Sequence, residues 1–437
     1  MATDVSKRPA VYLVAVEDVA QSPLIRGQVI NVLKTMAGQG APCPLALVTL
    51  YPLLNWWRNR GRLADLRAEL AESGIAFHAW PIAFMTRHFY MSRPWLAFYR
   101  IQAWIAALWI SLRLRPALMH CRSYPATLVG AMVKRLAGAR LICDARALYP
   151  EEGAVREDGG KIVMLNDADF AAWKRVEAGL MQRADAIAAI SQPMADILAE
   201  QYPESRPRLL VAPTCTPVPA EADLDAWRPA VRAELGLADR LVVAYSGSWF
   251  EPEPAIALFR LLQNALPGAP WEFLLLISSR GGGDAADRRE GIAEAVRRGL
   301  APGTGCRVIS VPQGQVLRYL AAADLAAQPV APPTRAAIDS RYELMARTVL
   351  SVKFAEYLAA GLPVIISRWH GAAADIAETQ DLGLVYDRVS PEAVAHLLAA
   401  WQADRTAYRS RAWQYARDHF ATDALAARYL ALYRQLL

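Results

Sequence analysis

The 437-residue sequence contains few cysteines, and they show no spacing that would make them metal ligands or a disulfide framework. The five cysteines are scattered along the chain, and three of them lie in or beside apolar segments that read as strands. A secreted disulfide scaffold is therefore excluded. We expect reduced thiols in the core of a cytosolic protein.

Long uninterrupted apolar runs are missing as well. The N-terminal segment MATDVSKRPA leads directly into a predicted strand without an apolar signal segment. No run of membrane-spanning length is free of charges, so we expect no spanning helix. A composition of 54% hydrophobic and 21% charged residues also excludes extensive disorder and indicates large apolar cores.

The length of the chain indicates the number of domains, and its net charge indicates the kind of partner. A chain of 437 residues is too long for one ordinary domain and predicts two. The net charge of +6 and the pI near 9.1 favour an anionic partner. A nucleoside diphosphate and an anionic membrane surface both fit this sign. Nucleic acid is not expected, because no nucleic-acid motif occurs and the arginines are spread along the chain.

Apolar strands alternate with helical segments through the first half of the chain. Strands are predicted at 10–16, 45–50, 75–80, 117–120, 140–144, 186–190 and 209–212. This alternation predicts a parallel sheet with helices on both faces, whose ligands bind at the carboxyl ends of the strands. A proline-containing segment that begins PTCTPVP then predicts a linker, and the strand LVVAYSG opens a second domain.

Several polar residues follow predicted strands. His120, Arg122, Asp144 and Arg146 stand at two strand ends of the first domain, although each alone is also typical of an ordinary loop residue. In the second domain the strand ends in Ser246 and Gly247, where a glycine lets backbone N–H groups approach an anion. Strand-glycine turns are also common for structural reasons. Two further candidates, Arg280 and Gln313, follow the next two strands.

The stretch from Ser351 to Ser367 reads SVKFAEYLAAGLPVIIS, and it predicts a helix, a glycine stop and a buried strand. Gly361 ends the helix, Pro363 prevents its continuation, and the β-branched run that follows suits a parallel sheet. Lys353 and Glu356 are the polar exceptions on this apolar helix. By themselves they are also compatible with a surface ion pair.

The string K-x-x-E-Y-L-A-x-G-x-P-V-I resembles the C-terminal signature of glycosyltransferase family 4, the retaining enzymes of the GT-B fold. The resemblance implies an α/β fold with two Rossmann-like parallel-sheet domains facing a central cleft. It implies that Glu356 binds the ribose of a nucleotide-sugar and that Lys353 holds the diphosphate and acts in catalysis. Ser246, Gly247, Arg280 and Gln313 complete the donor site implied in this way.

The strings H-x-R-S-Y, from His120, and D-x-R, from Asp144, resemble the branch of this family that builds bacterial surface polysaccharides. In many members a histidine near this point contacts the transferred sugar, and either His120 or Arg122 takes that catalytic place here. The resemblance puts Asp144 and Arg146 on the acceptor side. It also puts Gly27 there, the single glycine of the loop after the first strand.

The sequence departs from the family pattern at two points. The common motif has two glutamates separated by seven residues, and counting back from Glu356 places Thr348 where the first glutamate is expected. Members usually have a basic residue shortly after the position of Gly247, whereas this chain has Glu251 and Glu253. The sequence therefore does not predict which sugar the donor carries.

The predicted organisation has four parts. Residues 1–212 form an acceptor-binding domain, 213–235 a linker, 236–410 a nucleotide-sugar-binding domain, and 411–437 a C-terminal helix that crosses back. The implied function is retaining transfer of a sugar from a nucleotide-sugar to a lipid-linked glycan acceptor, without a metal or other cofactor. Two alternatives remain: a GT-B epimerase or phosphorylase, and a non-catalytic GT-B protein that binds nucleotide-sugars or serves as a scaffold.

Two segments of the first domain combine aromatic residues with arginines. Residues 81–115 place Trp95, Trp104 and Trp109 on an apolar helix with several arginines, and the string NWWRNRGR near residue 55 has the same character. Such segments suit a membrane interface with anionic lipid, and equally a packed helix with snorkelling arginines. We expect a cytoplasmic protein that is peripheral on the inner face of the cell membrane.

Overall fold

The structure is a computed structural model, and it describes residues 8–83, 90–154, 156–158, 161–163, 165–247, 253–277, 285–330, 340–388 and 390–437. The predicted phosphate contact Arg280 lies outside these residues, as do residues 84–89 of the aromatic stretch.

The chain folds into two compact units. The N-terminal unit comprises Met1–Pro213, Arg335–Thr348 and Thr422–Leu437, and the C-terminal unit comprises Thr214–Thr334 and Val349–Ala421. Each unit thus combines segments that are distant in the sequence.

The elements up to residue 211 belong to the N-terminal unit. In chain order they are β1 (Ala10–Ala15), α1 (Pro23–Ile25), a π-helical turn (Arg26–Ile30), α2 (Asn31–Gly38), β2 (Leu45–Pro52), α3 (Leu53–Arg58), α4 (Arg60–Glu72), β3 (Ala76–Ile82), α5 (Arg93–Arg113), β4 (Leu118–Arg122), α6 (Ser123–Ala137), β5 (Arg140–Ala145), α7 (Tyr149–Ala154), β6 (Arg156–Asp158), β7 (Lys161–Val163), α8 (Asp167–Arg183), β8 (Ala186–Ala189), α9 (Gln192–Gln201), a 3-10 helix (Pro203–Arg208) and β9 (Leu209–Val211).

The remaining elements belong to the C-terminal unit, except α14 and α19, which return to the N-terminal unit. They are α10 (Glu221–Glu234), β10 (Leu241–Gly247), α11 (Glu253–Ala265), β11 (Trp271–Ile277), α12 (Ala285–Arg298), β12 (Gly305–Ile309), a 3-10 helix (Gln313–Gln315), α13 (Val316–Leu320), β13 (Leu325–Gln328), α14 (Ser340–Thr348), α15 (Val352–Ala359), β14 (Val364–Ile366), 3-10 helices at Arg368–His370 and Tyr386–Arg388, α16 (Gly371–Thr379), β15 (Gly383–Val385), α17 (Pro391–Ala403), α18 (Arg405–His419) and α19 (Thr422–Leu436).

The N-terminal unit is built on a parallel sheet. Within the described residues it has seven strands in the order β3-β2-β1-β4-β5-β8-β9. β1 and β2 are buried along their whole length because helices cover both faces of the sheet. The register pairs Arg122 at the end of β4 with Asp144 near the end of β5, which brings these side chains to the same edge.

The C-terminal unit repeats this arrangement. Its described strands form a parallel sheet of six in the order β12-β11-β10-β13-β14-β15. Stacked rings of Phe259 and Phe273, 3.7 Å between centroids, lie in the core between α11 and the sheet. The prediction of two Rossmann-like parallel-sheet domains is thus confirmed.

The predicted linker contains a regular helix. α10 runs from Glu221 to Glu234 with Pro229 inside it. Leu224 packs with Ala321 and Trp413 of the C-terminal unit. This burial stabilises the helix against the loss of the hydrogen bond that a proline cannot donate.

A further helix that was not predicted lies shortly before residue 351. α14 covers Ser340 to Thr348 and packs with the N-terminal unit, where Arg341 forms an ion pair with Asp167 at 2.7 Å and lies over the ring of Phe170. These tertiary contacts determine the conformation of this segment.

The C-terminal segment consists of two helices where one was predicted. α18 ends at His419 and α19 begins at Thr422. α19 packs against α2 of the N-terminal unit and places Tyr429 and Tyr433 against His120.

Candidate functional site

The turn after β10 in the C-terminal unit is the first part of a candidate ligand site. Gly247 has φ +129, a backbone conformation that side chains rarely allow. The hydroxyl of Tyr357 on α15 accepts a hydrogen bond from the backbone N–H of Ser246 at 2.8 Å. The end of the strand is thus fixed to the helix that carries Lys353 and Glu356.

Lys353 lies directly against this glycine. A Cβ atom built on Gly247 would stand 2.2 Å from Cε and 2.5 Å from Nζ of Lys353, so only glycine leaves room for the lysine. Nζ donates to the hydroxyl of Tyr245 at 3.3 Å and lies 4.9 Å from the centre of its ring. Within the described residues Lys353 forms no salt bridge.

The position of Lys353 on its helix is electrostatically unusual. It is in the first turn of α15, and that turn contains no acidic residue. The N-terminus of a helix carries partial positive charge and normally attracts anions, so a cation there is unfavourable unless an anion joins it. Lysine, helix and glycine turn together form a place for an anionic ligand.

Glu356 is one turn further along α15 and is only 6% exposed. Burial raises the pKa of its carboxyl to about 7, and the amide of Gln313 and the charge of Lys353 oppose this rise only in part. Gln313 Nε2 donates to Glu356 Oε1 at 2.8 Å. The carboxylate therefore has acceptor capacity left for a ligand's hydroxyl groups.

A neighbouring polar group on β13 was missed from the sequence. Gln328 donates from Nε2 to Ser351 Oγ at 2.8 Å and contacts Nδ1 of His370 at 3.1 Å. Its Oε1 atom is buried and accepts no hydrogen bond from any described residue. Burial and the charge of Lys353 lower the pKa of His370 to about 3, so its ring is neutral. The position of Gln328 at the carboxyl end of a buried strand was the available signal.

Replacing Gly247 with alanine is expected to lower the free energy of unfolding by about 1–3 kcal/mol, because a side chain must adopt an unfavourable φ and displace Lys353. Chemical denaturation measures this loss. Gly291→Ala is the matched control, since its Cβ would meet no atom within 4 Å, and alanine there should be neutral or stabilising. Equal effects of the two substitutions would contradict the packing of Lys353 on Gly247.

The polar residues predicted on the acceptor side of the N-terminal unit form one cluster. Arg122 is 4% exposed and donates to Glu17 at 3.2 Å and to Gln28 Oε1 at 3.3 Å. Arg146 donates to the same Gln28 oxygen at 2.9 Å and to Asp144 at 3.4 Å. Arg122, Asp144 and Arg146 are thus brought together at the carboxyl edge of the sheet.

The charges of this cluster determine which of its carboxyl groups are ionised. Burial by itself would raise the pKa of Asp144, but the guanidinium of Arg146, with His120 and Arg122, holds it well below its usual range. The hydroxyl of Tyr12 donates to Asp144 Oδ2 at 3.0 Å. Burial raises the pKa of Glu17, and the positive charge of Arg122 opposes this rise. The cluster contains an ionised Asp144 held by two arginines.

His120 is enclosed by aromatic side chains and has no exposed surface. Its ring lies 4.3 Å from that of Tyr12 and 4.6 Å from that of Tyr429, and Nδ1 contacts the hydroxyl of Tyr433 at 3.0 Å. Burial lowers its pKa, so the imidazole is neutral. In this arrangement the ring cannot contact a sugar, whereas Arg122 lies at the end of the same strand.

Two residues of the cluster, Glu17 and Gln28, were not predicted from the sequence. Gln28 lies in the π-helical turn Arg26–Ile30, a distortion that is frequent at functional sites. Val16 and Ser123, just after β1 and β4, have φ of 67 and 66, which non-glycine residues seldom adopt. Gly27 lies in the same turn, and a Cβ there would meet no atom within 4 Å. Its predicted role stays a prediction.

The N-terminal unit matches a family model. Residues 34–215 match the model described as Glycosyl transferase 4-like domain. No curated protein matches this chain in sequence.

Several solved structures align with this chain over nearly its whole length. Anabaena HepE in complex with UDP aligns with a TM-score of 0.60 and 14% identity over 98% of this chain and 100% of that chain. Sucrose-phosphate synthase from Thermosynechococcus elongatus aligns with a TM-score of 0.66 and 16% identity over 98% of this chain and 99% of that chain. α,α-Trehalose 6-phosphate synthase from Burkholderia multivorans aligns with a TM-score of 0.60 and 13% identity over 98% of this chain and 97% of that chain.

At these identities the likeness concerns the fold, which is that of the GT-B glycosyltransferases. The domain match adds a likeness to glycosyl transferase 4-like domains over residues 34–215.

Proposed function

We propose that this protein is a glycosyltransferase that takes its sugar from a nucleoside diphosphate sugar bound by the C-terminal unit. The observation that carries the proposal is Lys353. Without a salt bridge to any described residue, it lies against Gly247 in the first turn of α15, one turn before Glu356. This spacing suits a ligand with a diphosphate at one point and a ribose at the next.

The chemistry follows from these positions. When the bond between the anomeric carbon and the diphosphate breaks, negative charge develops on the β-phosphate. Lys353 and the N-terminal amides of α15 stabilise this charge and so lower the barrier. Glu356 accepts hydrogen bonds from the ribose hydroxyls, with Gln313 near the base. Arg280, outside the described residues, remains a predicted phosphate contact.

We propose that transfer retains the anomeric configuration and needs no metal. The acceptor oxygen forms its new bond to the anomeric carbon on the face that the phosphate leaves, and the departing phosphate oxygen takes the acceptor's proton. No protein group then has to act as general base. Lysine and helix amides supply the positive charge that a metal would otherwise provide.

The acceptor is proposed to be a lipid-linked glycan bound by the N-terminal unit, with Arg122, Asp144 and Arg146 at its site. The resemblance around residues 117–153 supports a role in bacterial surface polysaccharide or glycolipid synthesis. The reaction would then take place in the cytoplasm at the inner face of the membrane. Because HepE is solved with UDP, UDP-sugars are the first donors to test.

A thermal-shift panel tests the donor proposal. UDP-, GDP-, dTDP- and CMP-sugars are compared on wild type and Glu356→Ala. A ligand that binds only the folded state raises the melting temperature. We expect one nucleotide class to stabilise wild type and to lose its effect in the variant. If no class stabilises wild type, or if Glu356→Ala responds equally, the proposed donor site is wrong.

Two alternatives predict different products. An epimerase or phosphorylase would convert the stabilising sugar nucleotide or sugar phosphate without transferring sugar to a glycan. A non-catalytic binding protein is suggested by Thr348 at the first glutamate position and by the acidic residues after Gly247. It would bind the donor but release no nucleoside diphosphate in the presence of membrane extract. Sugar incorporated into glycan excludes both.

A further inference from the structure

The N-terminal unit exposes apolar side chains on two helices that flank the edge strand β3. Among the described residues, all large exposed apolar side chains except Leu24, Leu136 and Leu437 belong to α3 and α5. They are Leu53, Leu54, Trp57, Trp95, Phe98, Ile101, Trp104, Ile105, Leu108 and Leu112, here called the α3–α5 face. Such a concentration marks an interaction site.

α5 is apolar on both of its sides. Leu96, Tyr99, Ala103 and Ile110 are buried, and α5 packs on α6. The exposed residues recur on the opposite side, with Ile101, Ile105, Leu108 and Leu112 at intervals of three and four residues. One side therefore packs in the domain, while Ile101, Ile105, Leu108 and Leu112 on the other side are exposed.

The two helices meet the same strand. Trp109 of α5 lies 5.0 Å from the ring of Trp80 on β3, and Gln102 accepts a hydrogen bond from Ala83 N just after that strand. α3 also contacts β3. The exposed residues of α3 and α5 therefore lie at one edge of the sheet.

Arginines dominate the charge of the two helices that form this face. The sequence has no Asp or Glu between Glu72 and Asp144, and none within α3. Exposed arginines at positions 58, 60, 62, 100 and 113 flank the apolar residues, and within the described part of the chain none forms a salt bridge. A partner must therefore combine an apolar interior with a negatively charged rim.

We propose that the α3–α5 face docks the protein on a bilayer that contains anionic phospholipid, with its apolar side chains below the headgroups and its arginines at headgroup depth. Tryptophan and arginine are the residues that favour this boundary. A twofold dimer through the same face would bring the arginines of both copies together, and neither α3 nor α5 has an acidic residue to meet them.

α5 lies in the interface and does not cross the membrane. It is long and apolar enough to span a bilayer, with a mean hydropathy of 1.2 over its best window, but 39% of that window is buried inside the protein. A spanning helix would have to leave α6 and expose its arginines to lipid. This inference concerns a surface separate from the donor site, so either can fail while the other holds.

Vesicle flotation with the full chain tests the proposal. Vesicles of phosphatidylcholine alone are compared with vesicles in which about a third of the lipid is phosphatidylglycerol. Wild type is expected to float with the anionic vesicles, and binding should fall as salt is raised. Ile105→Glu should weaken this binding about tenfold or more, since it places a charge among side chains that enter the lipid.

The matched control is Leu136→Glu on α6, which makes the same charge change at an exposed leucine that belongs to neither α3 nor α5. It should bind vesicles as wild type does. Arg100→Gln should weaken binding about fivefold, whereas Arg135→Gln, an exposed arginine of α6, should weaken it less. Melting temperatures of all variants confirm that they fold, because the substituted side chains are exposed.

Three results would overturn the proposal. One is that wild type fails to float with anionic vesicles. The second is that Ile105→Glu and Leu136→Glu bind equally. The third is that wild type is a dimer in solution that Ile105→Glu separates into monomers, which would make the face a contact between copies of the chain.

Discussion

Replacing Lys353 with alanine is expected to lower the rate of sugar transfer by about a hundred- to a thousandfold, the usual effect of removing one group that stabilises transition-state charge. Lys353 is the only lysine in the sequence of the C-terminal unit, and its ammonium lies against Gly247 at the N-terminal turn of α15. The loss should appear mainly in kcat, because charge on the leaving phosphate increases as the bond breaks. Release of nucleoside diphosphate in the presence of acceptor measures it.

The control for this prediction is Arg298→Ala. It removes a cation from the same unit, at an exposed position on α12 whose partner is Glu294. Its kcat should equal that of wild type, and both variants should melt cooperatively. A Lys353→Ala enzyme with wild-type kcat would show that the leaving phosphate is stabilised elsewhere.

Glu356 is expected to determine both donor affinity and its pH dependence. Glu356→Ala should weaken donor binding about a hundredfold, because hydrogen bonds between a carboxylate and hydroxyl groups are stronger than neutral ones. In wild type, affinity should rise as the pH increases through about 7, since the ionised carboxylate is the better acceptor. Calorimetric titration at several pH values measures both effects.

The same raised pKa predicts a change in stability. The folded state binds a proton on Glu356 more tightly than the unfolded state, so its contribution to the free energy of unfolding is present below pH about 4.5 and is lost as the pH rises to about 7. Glu356→Gln should therefore exceed wild type in stability by on the order of 3 kcal/mol at pH 8 and match it near pH 4.

Glu378→Gln, at an exposed carboxylate of α16, is the control and should show neither effect. Equal pH profiles for wild type and Glu356→Gln would mean that Glu356 is ionised in both states, and the proposed environment of this carboxyl would be wrong.

The sequence predicted the two parallel sheets because their strands are continuous apolar runs separated by amphipathic helices. The elements that it missed depend on distant contacts. α10 forms despite Pro229 because Leu224 is buried against Ala321 and Trp413, and α14 is held by its contacts with the N-terminal unit. Such contacts leave no local pattern, so neither helix was predicted from composition.

The candidate site was predictable where a strand end or a motif carried the signal. Ser246, Gly247, Lys353, Glu356 and Gln313 come together in the C-terminal unit as the motif implied.

No local pattern in the sequence indicates that His120 is enclosed by aromatic rings. Tyr429 and Tyr433, which enclose the histidine, are more than three hundred residues away in the chain. Gln28 was missed because its contact with the two arginines depends on a π-helical turn. No residue pattern predicts such a turn.

The most direct test of the account is a crystal structure of the protein with the nucleoside diphosphate that stabilises it. We expect the diphosphate against Gly247 within hydrogen-bonding distance of Lys353 Nζ, and both ribose hydroxyls on the carboxylate of Glu356. A nucleotide bound anywhere else, or a ribose that does not touch Glu356, would contradict the assignment of this site as the donor site.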